Sequence, residues 1–258
     1  MKTIEVFRMK TITAHLLSPL ILAIALVSGC AQQPAVTPTE DPRQLTDLAT
    51  DILTKAVYVS SLFNLCTPLG DEAELEAITV QQDWIDKNWP AIIAADHYYT
   101  GQFGSQAISY NGQPISLAAV LLAYNAKKRA TDELNLKQRT LTNQQKTCVR
   151  RIQTLAQQEM DLVASEQARA DLLALQQQYT GDTTRVVPVP SLAGDVTTER
   201  ENGRSYFVLS EEFKKECPEG QFIVLHNQWP LEAYASYCGA VPVSLVSCEW
   251  GKCTTQQP

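Results

Sequence analysis

The first long hydrophobic pattern of the chain begins at Asp41 and has the spacing of an amphipathic helix. Apolar side chains recur at intervals of three, four and seven residues: Leu45, Leu48, Ile52, Val59, Phe63 and Cys66. Asp41 is a favourable N-cap, and Pro42 suits the first helical position because its φ is already fixed near the helical value. The sequence therefore predicts a buried helix that ends before Pro68 and Gly70.

A second helix is predicted to open at Asp71, where Glu74 has the spacing of a capping box. Its predicted apolar face contains Leu75, Ile78, Ile85 and Trp89. The Trp89–Pro90 step predicts a break, because the residue before a proline avoids helical geometry. A third short helix is expected over 91–99. The following segment 110–113, with Asn-Gly at its centre, is typical of a hairpin turn.

The segment 115–180 contains neither Gly nor Pro and is rich in strong helix formers. Ser116 is a candidate N-cap, and Gly181 follows the segment. A seven-residue repeat runs through it: Leu134, Leu141, Cys148, Leu155 and Leu162. The companion positions are Gln138, Gln145, Ile152 and Glu159, so the seam is only half apolar and we expect packing against the first helix more than a free-standing coiled coil. A single long helix and a hairpin broken near 140–143 both fit this pattern.

Short apolar runs replace the helical spacing after Gly181 and predict strands. They lie at 186–189, 195–196, 206–209, 222–225 and 241–246. Asn202-Gly203 indicates a hairpin. Two short helices are expected between the strands, one capped by Ser210 and one opened by Pro230. These helices would end near Cys217 and Gly239 and form two helix-then-strand units. The predicted class is α+β, with a helical domain over 42–180 and a small disulfide-stapled domain over 182–255.

Residues 26–30, Leu-Val-Ser-Gly-Cys, close an apolar run over 16–27 that follows Lys10. A basic start, a short apolar core and small residues before a cleavage point indicate a secretory signal peptide. The last five residues resemble the lipobox of bacterial lipoproteins. This resemblance implies that residues 1–29 are removed as a signal peptide and that Cys30 becomes the acylated first residue, carrying chains such as palmitate.

The same resemblance bears on location, because lipoproteins with Asp after the Cys tend to stay at the inner membrane. Ala31 stands at that position. The implied location is the outer membrane, facing the periplasm, with the lipid as the membrane anchor. Two or more acyl chains hold a protein stably on a bilayer. Residues 30–41 are polar and contain Pro, so they are expected to form a tether between the lipid and the folded body.

Removing residues 1–29 removes three basic residues and one acidic residue, which changes the net charge from −7 to −9. Such a surface is poor for nucleic acid, which requires a basic footprint. Basic residues nevertheless cluster in one region: Lys127, Lys128, Arg129, Lys137, Arg139, Lys146, Arg150 and Arg151. We interpret this cluster as a helix face paired with the acidic segment 71–86. A patch for an acidic partner is the alternative.

Six cysteines follow Cys30, an even number suited to an oxidising periplasm. The sequence predicts three pairs: Cys66 with Cys148, Cys217 with Cys238, and Cys248 with Cys253. The last pair would staple a hairpin whose turn contains Trp250. Zinc is a disfavoured alternative, because His97 and His226 are the only imidazole ligands of the mature chain. We therefore expect no metal and no cofactor.

No sequence motif assigns an enzymatic activity: H-E-x-x-H, a Walker loop and G-x-G-x-x-G are all absent. Asp96 and His97 are adjacent, and adjacent helical residues do not face each other, so they form a poor acid–base pair. The candidate binding residues are His226, Trp229 and Trp250.

The leading hypothesis is a non-enzymatic envelope scaffold or binding subunit that contacts an envelope protein or assembly. An enzyme acting on cell-wall glycan or peptide is the first alternative, and an inhibitor or exclusion lipoprotein is the second. A pocket that joins His97 or His226 to carboxylates would favour the enzyme. A flat apolar patch on the C-terminal domain would favour binding.

Overall fold

The structure, a computed structural model, describes residues 41–103, 106–178, 189–193 and 200–258. The predicted signal peptide, Cys30 and all of the tether except Asp41 lie outside these residues. Five helices form the first part of the fold: α1 (Pro42–Cys66), α2 (Asp71–Phe103), α3 (Leu117–Leu134), α4 (Leu141–Gln158) and α5 (Glu166–Gln178). A helix, α6 (Tyr206–Glu216), and an antiparallel sheet form the second part. The predicted α+β class is confirmed.

Helix α1 forms as its sequence predicts. Asp41 caps it and accepts a hydrogen bond from the Arg43 N–H at 2.9 Å, and Pro42 is its first residue. The side chains from Ala56 to Val59 are all buried, so this part of the helix is surrounded by protein. The span Pro42–Leu69 has the length and apolarity to cross a bilayer, but over half of its most apolar stretch is buried within the protein. It is the central helix of the core.

Helix α2 differs from the prediction in two ways. It continues through Pro90 without a break, so residues 91–99 belong to the same helix. Pro90 is exposed, and the Asp86 carbonyl that loses its helical donor lies on that exposed side of the helix. The predicted apolar face is also wrong, since the buried face carries Ala73, Ala77, Val80 and Trp84. Small side chains at the first two positions let α1 approach closely.

The segment 115–180 is not one long helix: its described residues form α3, α4 and α5, with one break over 135–140, next to the break predicted at 140–143. The chain leaves the helical path at Asn135, which has a left-handed φ of 45°, and again between α4 and α5. The buried Asn88 of α2 holds this second turn: its amide donates to the Met160 carbonyl at 2.9 Å and accepts from the Leu162 N–H at 3.2 Å. The heptad seam is thus divided among separate elements, and Leu141 of that seam is exposed.

Two antiparallel sheets are present in the described residues. A small hairpin joins β1 (Ala107–Tyr110) to β2 (Gln113–Ser116), and its turn residues Asn111 and Gly112 both have positive φ, as a tight turn requires. The larger sheet has the order β3-β4-β5-β6. Its strands are β3 (Gly220–Gln228), β4 (Leu231–Cys238), β5 (Val241–Glu249) and β6 (Lys252–Gln256).

Both faces of the larger sheet are covered over part of their area. One face joins the core of the helices, and the Tyr237 hydroxyl on this face donates to the Leu117 carbonyl at 2.9 Å. The other face packs against α6, where Tyr206 contacts Tyr234 and Phe222 with ring centroids 6.0 and 6.3 Å apart. The sheet therefore lies between the helical region and α6.

Several local predictions for the C-terminal part are wrong. Residues 206–209 are helical, so α6 begins four residues before Ser210. Pro230 is followed by strand β4, whose alternate side chains are buried on the two faces of the sheet. Of the two predicted helix-then-strand units, the first is present as α6 followed by β3, and the second is absent because β4 stands where its helix was expected. Asn202-Gly203 is a loop that leads into α6. Residues 186–188 and 195–196 lie outside the described residues, while Val189 opens a short 3-10 helix, Val189–Ala193.

The three disulfides have the predicted pairing. Cys66–Cys148 joins α1 to α4, and both residues are fully buried. Cys217–Cys238 joins the end of α6 to the end of β4. Cys248–Cys253 connects β5 to β6 at directly opposed positions, which staples the terminal hairpin as expected.

Candidate functional site

The strand register creates an open area at one end of the larger sheet. It places His226, Ala233, Ser247 and Thr254 in one row across the four strands. A second row on the same face contains Leu231, Glu249 and Lys252. This face is covered by the helical core further along the strands, at Ala235 and Leu245. The two rows form the floor of a groove beyond that covered area.

The tip of the β1–β2 hairpin forms the opposite wall of this groove. Ser109, Tyr110 and Asn111 line it, and the groove volume is about 870 Å³. Burial raises the pKa of the Tyr110 hydroxyl, although nearby Arg200 and a hydrogen bond with Asn111 lower it. Tyr110 therefore stays protonated at neutral pH and keeps an O–H donor at the groove. The groove combines aromatic side chains with neutral polar groups and with the charged Glu249 and Lys252.

Two of the predicted binding residues meet beside the groove. The rings of Trp229 and Trp250 pack edge to face with centroids 5.7 Å apart, and the Arg204 guanidinium lies 4.3 Å above the Trp229 ring. We call these three residues the aromatic tip. The side chains of Trp229 and Trp250 are 42% and 65% exposed. Both Trp side chains are thus partly accessible, although Arg204 covers one face of Trp229.

The aromatic tip is held by covalent and backbone contacts. Trp250 and Gly251 form the β5–β6 turn with φ values of 54° and 76°, directly between the disulfide-bonded Cys248 and Cys253. The Trp250 N–H donates to the Pro230 carbonyl at 3.0 Å, which ties this turn to the β3–β4 turn. Rigid aromatic side chains lose little conformational entropy on binding, so the tip is well suited to contact a partner.

The third predicted binding residue, His226, lines the same groove as Trp250. It lies half-buried on β3, opposite Ala233. The structure therefore brings His226 and Trp250 to one groove and places Trp229 in contact with Trp250. Their role in binding stays a prediction.

Glu232 also borders the groove, but its carboxylate accepts hydrogen bonds from neighbouring residues of the protein. It accepts hydrogen bonds from the N–H groups of Arg204 and Ser205 at 2.7 and 3.0 Å and from the Tyr234 hydroxyl at 2.9 Å. Burial raises the pKa of Glu232, but these hydrogen bonds together hold it below its usual value. A charged carboxylate at the N-terminal end of α6 also interacts favourably with the helix dipole.

Gly203 is required for this arrangement. A Cβ on Gly203 would lie 2.3 Å from the Tyr234 hydroxyl oxygen and 2.7 Å from the carboxyl carbon of Glu232. The absence of a side chain lets the loop approach the carboxylate. Asn202-Gly203 is therefore a close-approach loop rather than the predicted hairpin.

Asp96 and His97 are not brought to this groove. The Asp96 carboxylate accepts from the Val189 N–H at 2.8 Å and so fastens the short 3-10 helix to α2. Burial raises the pKa of Asp96 to about 6, although the Val189 hydrogen bond and the nearby His97 lower it. A structural role accounts for Asp96.

The basic cluster is largely engaged within the protein. Arg151 forms ion pairs with Glu133 at 2.7 Å and Glu159 at 3.0 Å and donates to the Tyr58 hydroxyl. Arg129 lies over the ring of Tyr58, 4.7 Å from its centroid. These contacts join α1, α3 and α4 around a buried polar network.

The acidic segment contacts the basic helix face at one end. Gln145 donates to the Asp71 carboxylate at 3.0 Å, and Lys146 and Arg150 share a groove with Asp71 and Glu72. The ion pairs of the basic cluster are formed with Asp132, Glu133 and Glu159, which lie outside segment 71–86. Pairing of the basic face with the acidic segment along α2 stays a prediction.

Metal ligands are not grouped in the part of the chain that the structure describes: no three His, Cys, Asp or Glu side chains there could hold an ion. No protein-family model, curated protein or solved structure matches the chain.

The groove as a whole could not be read from the sequence. Tyr110, Ser247, Glu249 and Lys252 join it only because the sheet register and the β1–β2 hairpin bring distant segments together. Recognising β4 as a strand would have placed Ala233 beside His226 and revealed the floor of the groove.

Proposed function

We propose that the protein is a lipid-anchored, non-enzymatic binding subunit of the bacterial outer membrane that faces the periplasm. The lipobox-like residues 26–30 support the anchor and the location, and three disulfides suit an oxidising compartment. The aromatic tip carries the binding proposal, because two exposed Trp side chains are oriented by a stapled turn. The partner is an envelope protein or assembly.

The anchor is tested by Cys30→Ser. The variant is expected to remain an unprocessed precursor or to leave the outer-membrane fraction, because its side chain cannot form the thioether to lipid. Acyl labelling and membrane fractionation measure this result. Normal acylation of the variant would refute the proposed anchor.

Partner binding is tested by Trp250→Ala with Phe207→Ala as the matched control. Phe207 is an aromatic residue on α6 that is 63% exposed. Crosslinking in intact cells followed by mass spectrometry should recover the same envelope protein with the unchanged protein and the control. Trp250→Ala should lose it while keeping all three disulfides. Equal recovery with both variants would remove the aromatic tip from the binding site.

One observation favours an alternative function, an envelope hydrolase acting on cell-wall glycan or peptide. His226 and Glu249 line the same groove, so an imidazole and a carboxylate are available there. Glu232 is a poorer candidate because its oxygens already accept three hydrogen bonds. Release of soluble fragments from purified cell walls, abolished by both His226→Ala and Glu249→Gln, would favour this function over binding alone.

A further inference from the structure

Helix α2 carries a second apolar face that points away from the core. Leu75, Ile78 and Trp89 on this face are 69%, 50% and 52% exposed, and Ile85 is partly buried. We call these four residues the outer stripe. Their spacing of three, seven and four residues places them on one side of the helix. The helix therefore has one apolar face packed inside the protein and another on which Leu75, Ile78 and Trp89 are exposed while Ile85 reaches the edge of the core.

The outer stripe is long enough to receive another helix. It extends over fourteen residue steps, or about 21 Å at 1.5 Å per residue. Scattered single apolar residues are normal at a protein surface, whereas a row of large apolar side chains is characteristic of an interaction site. The largest of them, Trp89, belongs to the residue type most enriched among energetically dominant interface residues.

Charge decides what kind of partner fits. Glu72, Asp83 and Asp86 are exposed along one border of the outer stripe, and Glu74 is exposed on the other. Lys87 is the single Lys or Arg of α2, and it forms an ion pair with Asp161 at 2.9 Å. The exposed charges that α2 itself contributes beside the stripe are therefore predominantly acidic, and Lys146 and Arg150 of α4 approach only its Glu72 end.

The acidic side chains of α2 favour one kind of occupant over two others. A second copy of α2 on the stripe would bring Asp83 and Asp86 against like charges, since the single Lys of α2 is already paired with Asp161. An anionic bilayer surface would be repelled for the same reason. We propose that the outer stripe docks a partner helix whose apolar ridge is flanked by Lys and Arg side chains. This surface lies on α2, separate from the groove and the aromatic tip, and the proposal does not depend on their function.

The first test uses defined peptides and the purified full chain. A synthetic helix of about 18 residues with a Leu ridge flanked by Lys is compared with a Leu/Glu version and with a scrambled Leu/Lys version that has no ridge. The ridged Leu/Lys peptide should bind at least about tenfold more tightly than either, a difference of ~1.4 kcal/mol. Equal binding of the scrambled peptide would reduce the effect to non-specific charge attraction and overturn the proposal.

Matched variants locate the binding site. The double variant Leu75→Ser/Ile78→Ser should weaken binding of the ridged Leu/Lys peptide about tenfold or more. Leu173→Ser on α5 is the control, because Leu173 is also an exposed leucine, at 56%. All these side chains are exposed, so the folded structure should persist, as circular dichroism can verify. Equal weakening by the control variant would place binding elsewhere and refute the stripe as the site.

A charge exchange and an in-cell measurement complete the test. Asp83→Lys/Asp86→Lys should shift the preference from the Leu/Lys peptide toward the Leu/Glu peptide. A photo-crosslinking residue at position 78 in intact cells should capture protein segments that are amphipathic and rich in Lys or Arg. Unchanged peptide preference, or crosslinks to a second copy of this chain or to lipid, would overturn the proposal.

Discussion

The helical region and the C-terminal sheet use disulfides differently. The helices share a large core, and one disulfide joins α1 to α4 across 82 residues inside it. The sheet has only a small core on its α6 side, and two disulfides close short segments of 21 and 5 residues there. In the helical region the cross-link restricts a long chain. In the sheet the cross-links orient a turn and the end of a helix.

The two regions also differ in how each uses a carboxylate that lies inside the fold. Asp96 in α2 accepts one backbone hydrogen bond, and burial raises its pKa to about 6. Glu232 in β4 accepts two backbone N–H groups and a hydroxyl, and its pKa is lowered. Each carboxylate fastens a neighbouring segment. The number of donors decides whether burial or hydrogen bonding dominates.

The largest expected effect separates the disulfides of the two regions. Under the chain-entropy relation, loss of the 82-residue loop costs ~4.5 kcal/mol, whereas loss of the 5-residue loop costs ~2 kcal/mol. We expect Cys66→Ala/Cys148→Ala to lower the unfolding free energy about twice as much as Cys248→Ala/Cys253→Ala. Urea titrations of both double variants measure this difference. Equal losses of unfolding free energy would contradict the expected dependence on loop length.

The next effect concerns Asp96 and pH. Its folded pKa of about 6 exceeds the ordinary 3.8, so the folded state binds the extra proton between these values. Stability should therefore decrease as pH rises from about 4 to about 6, by at most ~3 kcal/mol. Asp96→Asn keeps an acceptor for the Val189 N–H and should remove this decrease. An unchanged pH profile in the variant would assign the dependence to another group.

Glu232 should give the opposite pH dependence. The lowered pKa of Glu232 means that the stabilising effect of its carboxylate is present above its ordinary pKa near 4.5 and is lost as pH falls through the folded pKa.

Gly203→Ala should disturb the same contact at neutral pH, because the added Cβ would collide with Tyr234 and Glu232. We expect a loss of ~2 kcal/mol, in the range for a disrupted buried hydrogen-bond network. Gly101→Ala in α2 is the control, since no atom lies within 4 Å of its Cβ position.

The smallest stability effect is expected at the aromatic tip. Trp250 is 65% exposed, so Trp250→Ala should lower the unfolding free energy by less than ~1 kcal/mol while it abolishes partner recovery. Thermal unfolding of the variant beside the crosslinking experiment measures both quantities. A loss as large as that of Gly203→Ala would mean that Trp250 stabilises the sheet and does not act primarily in binding.

Local patterns predicted the elements whose signals lie within a few residues. The Asp41–Pro42 start of α1, the Asn111–Gly112 turn and the Cys248–Cys253 pair are of this kind. The Cys217–Cys238 pair was correct although only one of the two helix ends proposed for it is present: Cys217 follows α6, whereas Cys238 ends a strand. A pairing can therefore be inferred by elimination without the right secondary structure.

The errors come from interactions over longer distances. Helix α2 has two apolar faces, and spacing alone cannot decide which one is buried. Residues 206–209 look like a strand, but Glu232 of β4 accepts hydrogen bonds from the N–H groups of Arg204 and Ser205 and so fixes the chain directly before α6. The groove forms only because the fold brings Tyr110 of β1 and Ser247 of β5 to the same cavity. In each case the deciding partner lies far along the chain.

The Cys66–Cys148 bond also sets the path of mechanical tension through the molecule. A pull between the start of α1 and the C-terminal sheet passes along α1, crosses the disulfide and continues into α4. The covalent path bypasses residues 67–147, which include α2 and α3. A protein held by its N-terminus and loaded at its other end would thus keep α2 and its outer stripe free of direct strain.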